Sequence, residues 1–215
     1  MAPASDSSYT GYMTRSTAAL PMNPAHGAPF AFDPGALSLE LLVTGGPGAY
    51  ARYEILHEPR DLADWLALSR LRLDPELVGV SESELRAARR LRDSLRRMAD
   101  ARTRGLPLPP EDVAEVNRAA AHPPLAPAMS PGGGRSWVQP ADATAVLSAF
   151  ARDAVDLFTG DLADRIRECG SHDCQLVFVD ASRPGRRRWC SMERCGNRQK
   201  VRALRARRET AEEAP

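Results

Sequence analysis

Cysteine is missing from the first 168 residues, and lysine from every position but Lys200. Aromatic residues make up 6% of the 215-residue chain. No apolar run approaches the roughly 20 residues of a membrane-spanning helix, so no membrane partner is expected. The first thirty residues lack the basic-then-apolar pattern of a secretory signal, and disulfides of an oxidising compartment are not expected either. No Ser/His/Asp set, paired-carboxylate frame or nucleotide fingerprint stands out. His26, His57 and His122 have no partner at ligand spacing. Gly45-Gly46-Pro47-Gly48 lacks the Gly-Lys-Ser/Thr ending of a phosphate loop and reads as a plain loop. The expectation is a cytoplasmic protein, not an enzyme.

What the chain has is concentrated between Cys169 and Arg208. All four cysteines lie there as two pairs, Cys169/Cys174 and Cys190/Cys195, with four residues inside each pair and fifteen between the pairs. Matched spacing suggests two similar loops meeting at one centre. Four thiolates from two short loops suit one tetrahedral structural zinc ion at Zn–S distances of about 2.3 Å. His172, inside the first loop, is an alternative ligand. A dithiol redox motif normally spaces its cysteines by two residues instead of four. Gln175–Val179 is apolar and β-prone, Arg183-Pro184-Gly185 signals a turn, and Arg186–Trp189 is expected to return as a second strand. Gly196–Arg208 looks helical, with Val201 and Leu204 expected to face the hairpin. Knuckle, hairpin, knuckle and helix outline a small treble-clef or ribbon-like zinc finger.

At Cys195-Gly196-Asn197-Arg198 this stretch, with Arg188-Trp189-Cys190-Ser191-Met192 before it, resembles the CGNR zinc finger. That finger follows an N-terminal ABATE domain in bacterial proteins regarded as stress-induced transcription regulators. Upstream the likeness is looser. Leu39-Glu40-Leu41-Leu42-Val43-Thr44 and Asp61-Leu62-Ala63-Asp64-Trp65-Leu66 match the domain's leucine-rich segment and its Asp-Leu…Trp-Leu helix, with Val43 where the family tends to have Asn. The residues of the signature also carry their own reading. Gly196 accommodates an unusual φ beside the last ligand, Asn197 caps the following helix, and Arg198 meets an outside anion or a local carboxylate such as Asp180. Trp189 packs over the hairpin or, alternatively, stacks on a nucleobase.

Charge is segregated. Residues 165–208 carry a local +9, residues 1–164 carry −5 and the tail −3, within a total of +1. A zinc ion on four thiolates would leave the module near +7. Duplex DNA is therefore the expected partner. It would be met by Arg183, Arg186, Arg187, Arg188 and Arg194 and, beyond Cys195, by Asn197, Arg198, Lys200, Arg202, Arg205, Arg207 and Arg208. RNA or the ribosome, and a thiol-based sensor or protein-interaction module, are the alternatives. The N-terminal part would sense a signal or form a homodimer, a role implied by the resemblance alone.

The chain divides into a disordered leader (1–29), a mainly α domain with a short β element (30–160), the zinc finger (161–208) and an acidic tail (209–215). Within the second part, Asp33-Pro34-Gly35 is a turn and Leu37–Val43 a strand or short helix. Asp61 is expected to cap a helix to Leu71. Ser81 and Glu84 form a capping box on a helix whose outer face holds Arg86, Arg89, Arg90, Arg92, Arg96, Arg97, Arg102 and Arg104. A short helix begins at Pro110, and His122–Pro131 is a loop. Arg135–Gln139 reads as a strand pairing with Arg52–Leu56. A helix runs from Pro140 to Gly160, and Asp161–Glu168 continues as a helical turn.

Overall fold

Leu20 is an apolar residue in a stretch of Ser, Ala and Pro, and only 1% of it is exposed. The computed structural model describes residues 19–22 and 28–212. In it Leu20–Met22 forms β1, paired antiparallel with β2 (Phe30–Phe32), Leu20 facing Phe32. The expected leader is therefore ordered at these three residues, because two large apolar side chains bury one another across the pair. Its remainder, 1–18 and 23–27, lies outside the described residues, as does 213–215 of the tail.

The Asp33-Pro34-Gly35 turn forms. Gly35 takes φ +83° and donates its N–H to Asp33 Oδ1 at 2.8 Å. The leucine-rich segment then winds as α1 (Leu37–Glu40) and a 3-10 turn (Leu41–Thr44), which resolves the strand-or-helix ambiguity. The glycine cluster is a packing device. A Cβ on Gly45 would lie 2.7 Å from the Glu54 Cα, so only glycine lets the two backbones approach so closely. Helix α2 (Pro59–Leu68) starts before Asp61, with Glu58 as its cap. Asp61 occupies the third helical position and accepts the Glu58 N–H at 2.8 Å, the reciprocal half of a capping box.

After the two-residue strand β3 (Val78–Gly79), α3 (Glu82–Thr103) begins as expected. Ser81 Oγ accepts the Glu84 N–H and Glu84 accepts the Ser81 N–H. Helix α4 is Pro110–Ala120. Arg135–Trp137 (β5) is a strand, but its partner is Pro127–Met129 (β4), inside the expected loop. Arg52 instead lies in a 3-10 turn spanning Gly48–Tyr53. The hairpin closes across five intervening residues with the triple glycine in it, a far shorter loop than a pairing across eighty residues requires. β6 (Ala141–Asp142) runs parallel to β3 and leads into α5 (Ala143–Thr159), capped by Asp142.

Helices α3, α4 and α5 enclose the core with α1 and α2. Trp65 and Phe150 meet there with ring centroids 5.8 Å apart. Of the arginines expected on the outer face of α3, Arg86, Arg90, Arg97 and Arg104 do lie exposed, but Arg92 and Arg96 are buried and several of the set are engaged within the fold. Arg92 is buried and pairs with Glu54 at 2.8 Å and Asp93 at 3.0 Å. Arg97 grips Asp112, Arg89 donates to the Leu56 carbonyl, and Arg102 donates to the Phe158 carbonyl. The guanidinium stems lie along apolar surface while their heads satisfy carbonyls left over at loop and helix ends.

One ion pair is almost wholly enclosed, its Arg70 side chain 6% exposed and shared at the surface with Asp33 at 3.1 Å. Glu40, fully buried, accepts from Arg70 Nε at 2.5 Å and from the Arg70 backbone N–H at 3.0 Å. Burial pushes the Glu40 carboxyl above its ordinary range, and the facing guanidinium works against that rise. Arg70→Met alone would strand this carboxylate and destabilise the fold by about 3–5 kcal/mol, whereas Arg70→Met with Glu40→Leu would recover most of the loss. Urea unfolding of the two single variants and the double variant checks the cycle.

Candidate metal centre

A strand of three residues, all buried, carries the site. Val177–Val179 (β8) pairs antiparallel with Ile166–Glu168 (β7), Ile166 opposite Val179. Strand side chains alternate in direction. Val177 and Val179 join the helical core with Ile166, while Phe178 turns the other way, into a second cluster with Phe32 and the four cysteines. Two expectations change here. Residues 161–168 hold a 3-10 turn (Ala163–Arg165) and then a strand, and Arg186–Trp189 is not the returning strand. The hairpin therefore encloses the first knuckle instead of following it. β7 delivers Cys169, and β8 leaves just after Cys174.

The Arg183-Pro184-Gly185 turn does form. Gly185 has φ +62° and donates to the Ser182 carbonyl at 3.0 Å. Asp180 holds it by accepting from Ser182 N at 3.0 Å and Arg187 N at 2.8 Å. Burial works to raise the Asp180 carboxyl, but the hydrogen bond from the Ser182 hydroxyl, together with these backbone ones, prevails and keeps it below the ordinary range.

Cys195 sits in a π-helical turn, Met192–Gly196, that runs into α6 (Asn197–Glu212). The helical stretch starts after Ser191, so Asn197 lies inside it with helical φ and ψ and is not its cap. Gly196 is not in the left-handed region. Its need for glycine comes from contact: a Cβ there would lie 3.3 Å from Trp189 Cδ1 and closer still to the flexible end of Met192. Gly170, after the first cysteine, faces the same ring, with a would-be Cβ 3.3 Å from Trp189 Cζ3. The indole is thus held against the glycines that follow the first and last cysteines, a packing role at the cysteine cluster and not over the expected hairpin.

The four Sγ atoms lie within 4.8 Å of one another, and all four cysteines are buried. Cys174 to Cys190 is 3.7 Å and Cys190 to Cys195 is 3.5 Å. Sulfurs at about 2.3 Å from a tetrahedral centre would stand roughly 3.8 Å apart. The electrostatics ask for a cation too. Hydrogen bonds from Cys174 and Cys190 hold Cys169 down to about 2, while the same contact pushes Cys174 up to about 12 and raises Cys190 strongly. Thiolates this close together would repel one another, and a cation at their centre would offset that repulsion. Cys169, Cys174, Cys190 and Cys195 would hold one zinc ion, filling its shell and supplying folding energy with no open position for chemistry. His172 is no ligand; its Nδ1 lies 2.9 Å from Arg202 Nη1.

The expected contact residues divide in two. Arg198 is bound inside the site, pairing with Asp173 at 3.0 and 3.1 Å and approaching Cys195 Sγ at 3.2 Å. Its carboxylate partner is Asp173, from within the first knuckle, not Asp180. The only signal for that in the chain is an acid placed between two cysteines. Arg187 is spent on the Trp189 and Cys190 carbonyls and lies 4.1 Å over Phe178. Arg194 lies 4.2 Å over Phe30, and Arg202 is shared with His172 and Asp173. Arg183, Arg186, Arg188, Asn197, Lys200 and Arg205 are exposed. Of these, the five cations have no carboxylate partner among the described residues. The side chains of Arg207 and Arg208 lie outside the described residues. Val201 and Leu204 are 47% and 44% exposed and do not face a hairpin, because Phe32 and Phe178 already fill the module's small core.

The ABATE family model, described as a putative stress-induced transcription regulator, matches residues 35–161. The CGNR zinc finger model matches residues 165–208. No curated protein matches the chain. No helix among the described residues is long and apolar enough to cross a membrane.

Purified protein should carry one zinc per chain by elemental analysis, and Cys190→Ser should carry none. Arg198→Ala should keep the fold but bind zinc about 10–100-fold more weakly, as measured by competition with a colorimetric chelator. Zinc should be released progressively as pH falls, since protons compete for the thiolates.

Proposed function

The chain belongs to the ABATE family and carries a CGNR zinc finger, and from this we propose that it is a cytoplasmic, DNA-binding transcription regulator with no catalytic activity. The observation that carries the reading is the set of five exposed cations, Arg183, Arg186, Arg188, Lys200 and Arg205, on a module that the metal would pin in shape. Phosphate neutralisation by these residues supplies most of the affinity, and the guanidinium groups of the four arginines are suited to guanine edges in the major groove. Arg187, Arg194 and Arg198 are engaged within the module and take a smaller share of the phosphate contact. The helical domain senses a signal or dimerises.

RNA offers the same phosphates, so competition between duplex DNA and structured RNA at equal salt separates the two. A thiol-sensing role is disfavoured by the burial of all four sulfurs, because reactive cysteines are accessible ones. Duplex binding by the zinc-loaded protein should weaken steeply with salt. Alanine at Arg183, Arg186 or Arg188 should each lower the slope of log K against log salt by about 1. Arg198→Ala, with zinc in excess, should lower the slope by less. Zinc-loaded protein with no salt-dependent duplex binding in fluorescence anisotropy would refute the reading.

A further inference from the structure

Between the helical domain and the first knuckle lies a cavity of about 460 Å³, within the usual span of small-molecule sites. Its apolar wall has three sources: Met22 and Phe30 of the strand pair, Val43 and Trp65 of the domain, and Leu176 of the knuckle.

Its charges are unequal. Two carboxylates line it and both are engaged, Glu54 with Arg92 at 2.8 Å and Asp173 with Arg198 at 3.0 Å. Three arginines line it, Arg52, Arg96 and Arg194, and none has a carboxylate within 4.0 Å among the described residues. Each lies over an aromatic ring instead: Arg52 4.7 Å from the Tyr53 centroid, Arg96 4.1 Å from Tyr50, and Arg194 4.2 Å from Phe30.

Arg96 is the decisive group. It is 3% exposed. Its two terminal nitrogens donate to the Gln175 carbonyl at 3.1 Å and the Leu42 carbonyl at 3.0 Å. Its Nε is buried without a hydrogen-bond partner, and so is Oε1 of Gln175 beside it. Burial draws the Arg96 pKa below its ordinary value, and Asp100 and Glu168 act on it only from beyond ion-pair distance. A buried guanidinium keeps its charge and is costly without a counter-ion.

We propose that this cavity binds a small amphipathic carboxylate, its apolar body against Phe30, Val43 and Trp65 and its carboxylate neutralising Arg96. Arg52 and Arg194 add attraction from more exposed positions. A singly charged carboxylate matches the one guanidinium that is buried here; guanidinium groups pair with carboxylate and phosphate alike, and probes bearing each head separate the two. The ligand would touch knuckle residues next to Cys174 and Cys195 as well as the helical domain, and so would tie the finger to the body. The site does not rest on the DNA reading, because its test contains no nucleic acid.

The test is calorimetry on the full zinc-loaded chain with three probes of equal chain length: octanoate, octanamide and octyl phosphate. Octanoate should bind at least about tenfold more tightly than octanamide, a difference of about 1.4 kcal/mol, and more tightly than octyl phosphate. Arg96→Gln should erase the preference for acid over amide. If circular dichroism shows that variant unfolded, Arg194→Ala should still lower octanoate affinity more than octanamide affinity, and Val43→Phe, which fills the cavity, should abolish both. No octanoate binding at millimolar concentration, equal binding of acid and amide, or a preference for octyl phosphate overturns the proposal.

Discussion

Everything at the metal end of this molecule depends on a strand three residues long that has no solvent face. A β-strand normally spends one side on a core and the other on water. Here Val177 and Val179 close the helical core while Phe178 closes the cysteine cluster, and the Val179 N–H is taken by the Pro34 carbonyl at 2.8 Å. The finger is thus continuous with the domain before it. Its hairpin is made where the domain ends, and part of its apolar filling, Phe32, comes from near the start of the chain. A module of about forty residues has too little surface to bury on its own. This one draws on both a metal and its neighbour.

Arginine does two kinds of work, and sequence position does not separate them. On α3 the side chains at Arg92, Arg96 and Arg97 reach inward to carboxylates and carbonyls. In the finger, Arg187 and Arg198 tie loops to one another and to a sulfur. Arg183, Arg186, Arg188 and Arg205, with no carboxylate partner among the described residues, remain for an outside anion. A local excess of positive charge in the sequence therefore overstates the binding surface.

The features legible in the chain were those set by spacing over a few residues. The paired cysteines, the Ser81/Glu84 capping box, the Asp33 and Arg183 turns and the long apolar rhythm of α3 all emerge where local rules expect them. The failures share a cause. The partners of Val177–Val179 and Arg135–Trp137 were misassigned because strands of three residues carry almost no periodicity, and pairing is settled by packing far along the chain. Asn197 was misread because a π turn begins the helix five residues before it. The Glu40–Arg70 pair and the orphaned Nε of Arg96 left no trace at all, since burial of a charge is a property of the folded neighbourhood and not of the residue.

The indole of Trp189 spans the distance between the two knuckles as a gauge block spans the jaws of a vice. One edge rests on the backbone after the first sulfur and the other on the backbone after the last. The ring is stiff, and both seats are bare of side chain. The width of an aromatic bicycle thus sets how closely those two stretches of backbone can approach. A smaller side chain at this position would leave the two backbones without their common spacer, so the first and last cysteines are kept in register by a residue that is not itself a ligand.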